Sequence, residues 1–325
     1  MPDSGHSEPE YRPAPLTGFV ASPASARGCD ELWLMARCLR VNSTMLAYKN
    51  IEAGWIARLN LGFERRADAT ILVHRSHVGP LRVQKALYPE GTGVCHTLLL
   101  HPPAGIAGGD DLEIVATVAD RAHALLTTPG AGKWYRSAGL WASQRLNFEV
   151  GEGGMLEWLP QESIVFDGAL ANMQTRVTLA EKAGFIGWEV LCLGRRASGE
   201  HFASGAMNLS IRIEREGRPI WLERGMLEGG SKLLQSSAGF SGYSVSATLL
   251  AVGAGLDPEL LAACRKLIPA EQGALHGLTL LPDVLVARYL GHSAEAARAW
   301  MAELWFLLRP AMAGREALMP RIWNT

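Results

Sequence analysis

The chain has 325 residues, 48% of them hydrophobic and 19% charged, with a formal net charge of −1. That is enough to bury a large core, as one big β domain or two smaller ones. There is no basic excess for nucleic acid and no acidic tail, and weak like-charge repulsion suits a protein that works in a complex.

Residues 1–50 stand apart. Pro2, Pro9, Pro13, Pro15 and Pro23, with several Ser and Gly, predict a mobile N-terminal extension. A short helix is expected at 31–40, and Met45 offers an internal start. The opening MPDSGHSEPEYRPAP lacks a basic start followed by an apolar run, so no signal peptide is expected. Five widely spaced cysteines (Cys29, Cys38, Cys95, Cys192, Cys264) contain no CxxC pair. No zinc site is readable from them, and a reducing cytoplasm is the expected setting.

Residues 51–325 form a β-rich domain by pattern. Trp55, Ala57, Leu59, Leu61 and Phe63 alternate with Arg58, Asn60 and Glu64, the period of a half-buried strand. Short strands follow at 70–73, 94–100, 112–118, 122–128, 145–150, 155–159, 164–166, 173–179, 185–193, 208–214, 219–223 and 243–252. Glycine turns at 91–93, 108–110, 151–154 and 229–230 separate them. Many evenly spaced strands with such turns predict an all-β sandwich, barrel or layered β-helix. Helix signals come late. Asp257-Pro258 opens a helix expected over about 257–267, as an N-cap followed by proline at the first helical position. Ser293 caps a second, over about 293–309, with Ala297, Trp300, Met301, Leu304, Leu307 and Leu308 on one stripe and Pro310 as its end. That stripe must cover the β core or a partner. Two further strands fit at 277–281 and 284–290. The longest apolar block, 300–308, contains Glu303 and is too short to span a membrane.

No catalytic constellation emerges. His74, His77, His96 and His101 suggest a metallohydrolase, but no HExxH, HxH or paired-carboxylate spacing accompanies them, and residues three apart on a strand point to opposite faces. The glycine-rich segment 105–110 precedes a strand rather than a helix and lacks the Walker lysine, so it reads as a tight turn and not a GTP site. GxSxG is absent. Lys133, Tyr135 and Arg136 cluster in PGAGKWYRS, which without a base or oxyanion partner reads as a recognition loop. Asp110, Glu162, Asp167 and Glu189 sit at strand ends or among apolar residues. Glu189, in GWEVLCLG, is costly to bury unpaired; it either pairs with an arginine such as Arg195 or lines a water-filled passage.

The blocks GPLRVQKALYPEG (79–91), CHTLLLHPPAGIAGGD (95–110), LLTTPGAGKWYRS (125–137), LPQESIVFDGA (159–169), WEVLCLGRRASGE (188–200) and PRIWNT (320–325) together resemble the UreD (UreH) family of urease accessory proteins. The likeness runs from about residue 55 to the C-terminus and departs from the family pattern at Ala86, Ala104, Ala107 and Asn324. It implies a β-dominated, layered helical fold with a small C-terminal α-helical part. It implies a non-catalytic scaffold that binds apo-urease on one side and UreF on another, with UreG recruited through UreF. It further implies a polar internal passage for nickel, carried transiently and with no tightly bound cofactor. On that reading Asp110, Glu162, Asp167 and Glu189 are candidate carboxylates of the nickel path. Lys133, Tyr135, Arg136, Trp300 and Leu304 are candidate partner contacts. A conduit must bind its ion weakly and repeatedly, which sparse carboxylates and carbonyls do better than a closed His/Cys cage.

Overall fold

A computed structural model describes residues 54–324 of the chain. The expected extension over 1–50, the helix at 31–40, the Met45 start, Cys29 and Cys38 lie outside the described residues.

Two sheets dominate. The first contains β1 (Ile56–Arg66), β2 (Ala69–Val78), β5 (Asp111–Val118), β8 (Ala142–Val150), β11 (Leu170–Leu179), β13 (Ala206–Arg215) and β14 (Arg218–Glu228), in the order β14-β13-β11-β8-β5-β1-β2. The second contains β3 (Arg82–Leu87), β4 (Cys95–Leu100), β6 (His123–Thr127), β9 (Met155–Trp158), β12 (Gly184–Leu193), β15 (Val245–Val252), β16 (Leu275–Leu280) and β17 (Leu285–Gly291), in the order β16-β17-β15-β12-β9-β6-β4-β3. Short strands β7 (Gly132–Trp134) and β10 (Ser163–Val165) extend it beside β12.

The centre is a stack of coils. Each coil gives one strand to each sheet, so β1, β5, β8, β11 and β13 pair in parallel, as do β4, β6, β9 and β12. Antiparallel neighbours (β2 and β14 in one sheet, β3 and β15–β17 in the other) close both ends. Parallel register aligns equivalent side chains, so Ile114, Leu146, Thr175 and Ile211 form one inward row. On the outer face Arg58 and Arg145 clamp Asp111 at 2.6 and 2.7 Å. The coil turns repeat as VADRA (118–122), VGEGG (150–154) and LAEKA (179–183). Asp120 accepts the Glu152 N–H at 2.9 Å and Glu152 accepts the Lys182 N–H at 3.2 Å, so each acid anchors the next turn.

Three helices follow the coils: α1 (Lys232–Gln235), α2 (Pro258–Cys264) and α3 (Ala294–Ala313). Asp257 and Ser293 cap α2 and α3 as their sequences predict, accepting the N–H groups of Leu260 and Ala296. Helix α2 is shorter than expected, and α3 runs through Pro310 instead of stopping there. A proline in the last turn deletes only the bond to the Phe306 carbonyl, and Phe306 is an exposed residue that water can serve. Gly314, at φ 62°, ends the helix by donating to the Pro310 carbonyl. Helix α3 lies on the second sheet, burying Trp300, Met301, Leu304, Trp305 and Leu308 against Ile186, Trp188 and Val190. The sheet is thus covered on both faces, which is why its strands read as continuous apolar runs. The C-terminal turn folds back on it: Trp323 donates to Thr127 Oγ1 at 2.8 Å and its ring lies 5.6 Å from that of Trp188.

Two strands escape the sequence pattern: β3, and β7 within the glycine-flanked loop. Strand β2 also extends well beyond the expected 70–73.

Candidate functional site

Strand β12 alternates between two interiors. Ile186, Trp188 and Val190 face α3, whereas Phe185, Leu191 and Leu193 face the first sheet. Glu189 takes its place in the second row, so its carboxylate points between the sheets.

The core there is not filled. One cavity of about 480 Å³ is lined by Leu112, Gln144 and Thr175 of the first sheet and by Trp158 and Phe185 of the second. Another, of about 570 Å³, lies between Leu209 and Met226 on one side and Ser246 and Leu290 on the other. Glu189, Ile211 and Thr248 line both, so the two spaces adjoin at these residues. The sequence blocks that stand far apart in the chain converge on the first cavity. They contribute His101, Lys133, Gln161 and Glu189 to its wall.

Among the described residues the Glu189 carboxylate has no hydrogen-bond or ion-pair partner. Burial pushes its pKa up to about 7, and the nearby Glu223 carboxylate adds to the rise. Of the two alternatives for Glu189, the pairing with Arg195 does not form. Arg195 instead binds Glu200 at 2.6 Å and lies 4.4 Å from the centroid of the Phe166 ring.

The other three candidate carboxylates are engaged. Asp110 accepts the N–H groups of Trp55 and Ala107, both at 2.8 Å, and so ties the 105–110 turn to the start of β1. Its charge partly offsets the burial that lowers the pKa of His101. Asp167 accepts from Ser204 N and Oγ, Ala203 N and Arg136, and these bonds hold its carboxyl low against the opposing effect of burial. Glu162 forms an ion pair with Arg298 of α3 at 3.1 Å. Only Glu189 of the four is both unpartnered and cavity-facing.

Of the candidate partner contacts, Lys133 lines the first cavity, Tyr135 meets Phe166 edge-on at 5.2 Å, and Arg136 is exposed and paired with Asp167. Trp300 and Leu304, at 1% and 0% exposure, pack α3 against the second sheet, the core-covering alternative for that stripe. The four histidines of the metallohydrolase reading do not converge. His74 and His77 are exposed on edge strand β2, while His96 is buried against Glu90. Among the described residues no three His, Cys, Asp or Glu side chains are placed to hold a metal ion together.

A buried charge network escaped the sequence reading. Glu157, fully buried on β9, accepts from His123 at 2.6 Å, from the Trp305 indole, and from Arg309 Nε at 2.9 Å. Arg309, also fully buried, reaches Glu90 at 2.7 Å, and Glu90 meets His96. Burial works to raise both carboxyls, but these partners prevail, holding Glu157 low and Glu90 down at about 2. The available signal was a lone glutamate in the apolar MLEWL.

Residues 56–324 match the family model for the UreD urease accessory protein. The chain belongs to the UreD family. A relative in Dechloromonas aromatica (strain RCB) is 58% identical over 274 residues, 83% of this chain and 95% of the relative. One in Azoarcus sp. (strain BH72) is 53% identical over 283 residues, 87% and 99% of the two chains. One in Pseudomonas aeruginosa is 51% identical over 277 residues, 85% and 97%. All three carry the name urease accessory protein UreD. The solenoid-like stack of coils and the C-terminal helix are therefore the architecture of a UreD chain.

Proposed function

We propose that this chain is a non-catalytic subunit of the urease maturation machinery, working in the cytoplasm, and that nickel passes between its two sheets. Family membership supports the maturation role. In this reading one surface binds apo-urease and another binds UreF, through which UreG supplies the metal. The two inter-sheet cavities carry the ion onward. The observation that carries this reading is the meeting of those cavities at Glu189, the one candidate carboxylate without a partner. Side chains beside it, Thr248 and the more distant Gln144 and His101, offer scattered neutral donors. Such a set favours brief binding over capture, which transport requires. Nickel is cargo here, and no tightly held cofactor is invoked.

The test is urease activation with Glu189→Gln and Glu189→Lys. Both variants are expected to assemble with urease and UreF, while the nickel content of urease falls, and falls further for lysine. A positive charge in a confined, poorly screened path repels the ion at close range. Normal nickel delivery by both assembled variants would remove Glu189 from the route.

A further inference from the structure

Next to the junction of the two cavities, the wall of the second carries a cation of its own. Glu189 on β12, Thr248 on β15 and Arg288 on β17 lie side by side in register across three strands of the second sheet. Facing them from the first sheet are Ile211 on β13 and its register partner Glu223 on β14. Arg288 reaches across the space. Its Nη1 lies 2.9 Å from Glu223 Oε1 and its Nη2 2.9 Å from Oε2, a two-point clamp. The same guanidinium donates to Thr248 Oγ1 at 3.2 Å and sits 5.9 Å from the Trp221 ring centroid. Glu189 is left without a partner on the same wall.

This arrangement has a definite charge logic. Two carboxylates and a hydroxyl around one space are the donor set of a divalent-cation site, which hard oxygen ligands suit. Arg288 occupies both oxygens of one of those carboxylates and stands two strands from the other, across Thr248. An incoming ion therefore meets one free carboxylate, and can gain Glu223 only by displacing the guanidinium. We propose that Arg288 is a built-in competing cation that prevents a divalent metal ion from being retained where the two cavities meet. It acts by sequestering Glu223. The inference rests on the reading of these cavities as a nickel route and adds what keeps that route from becoming a trap.

The experiment measures Ni²⁺ affinity of the purified full chain by equilibrium dialysis, with no urease present. Arg288→Gln is expected to bind one Ni²⁺ at least ~10-fold more tightly than the unaltered chain, since one carboxylate is freed and the positive charge that holds it is removed. Adding Glu189→Gln or Glu223→Gln to Arg288→Gln should return the affinity to its starting level. Arg288→Lys keeps the charge but cannot hold both Glu223 oxygens, so it should fall between the two. It also serves if Arg288→Gln does not fold. In the assembled complex Arg288→Gln should retain nickel and slow its arrival at urease. No tightening in Arg288→Gln, or tightening that survives loss of both carboxylates, would overturn the proposal. The two readings fail separately. If Glu189→Gln leaves urease activation normal while Arg288→Gln still tightens nickel binding, the route fails and the competing-cation effect stands. If activation depends on Glu189 but Arg288→Gln leaves the affinity unchanged, the reverse holds.

Discussion

Two glutamates share a sequence context and have opposite fates. Glu157 in MLEWL and Glu189 in GWEVLCLG each interrupt an apolar strand of the second sheet, but they point to opposite faces of it. Glu157 faces α3, where Arg309, His123 and Trp305 compensate its charge. Glu189 faces the first sheet, where among the described residues no hydrogen bond or ion pair does. Their substitutions should therefore differ in sign. The Glu189 carboxyl is raised above its unfolded value, so the folded state holds the proton to higher pH. Stability is lost as pH climbs from about 4.5 to about 7, and the loss is complete above that. Glu189→Gln should leave stability unchanged at pH 4 and raise it at pH 8 by up to about 3 kcal/mol, an upper figure because Glu189 is only partly buried at the wall of a cavity. The Glu157 carboxyl is lowered, so it contributes stability above the unfolded pKa that is lost as pH falls. Glu157→Gln should destabilise at pH 8 by about 3 kcal/mol, leaving Arg309 with one buried partner fewer. Urea unfolding at the two pH values checks both; a stabilised Glu157→Gln or a destabilised Glu189→Gln at pH 8 would contradict the assigned environments.

At the scale of elements, what was legible followed from local period and capping. Strand alternation, the Asp257 and Ser293 caps and the apolar stripe of α3 are set by neighbours within a turn or two, and all appear as expected. What was hidden depends on distant partners. Pro310 reads as a stop because its local effect is to break a helix; Arg309 beside it is held by Glu157 and Glu90, 152 and 219 residues away. Asp110 and Asp167 looked available for metal because the backbone N–H groups that occupy them, apart from that of Ala107, belong to other segments. Helix α3 therefore docks through charge as well as through Trp300 and Leu304. Arg309→Met should deprive Glu157 and Glu90 of the arginine they share, leaving them only His123, Trp305 and His96, and cost about 3–5 kcal/mol. Combining it with Glu90→Gln and Glu157→Gln should restore much of that, since the buried charges go together. Thermal unfolding of the single and triple variants decides: a triple variant no more stable than Arg309→Met would mean that the arginine acts by packing alone.

Across the described residues, the stacked coils explain how one fold both packs a core and leaves cavities between its sheets. Parallel register places equivalent residues in rows, and the row of Ile114, Leu146, Thr175 and Ile211 borders open space. Val177, fully buried, lies in the filled part, and Ile211, two strand positions back in the adjoining row, borders both cavities. This makes a steric test possible that alters no charge. Ile211→Trp adds bulk where space already exists, so it should cost less stability than Val177→Trp, which overpacks a closed core at about 1–3 kcal/mol or more. If the cavities conduct nickel, Ile211→Trp should slow the loading of urease while the complex with urease and UreF still co-purifies. Nickel per urease active site, sampled early in an activation time course, is the measurement. A complex that assembles and loads nickel at the normal rate with tryptophan at position 211 would mean that the ion travels elsewhere.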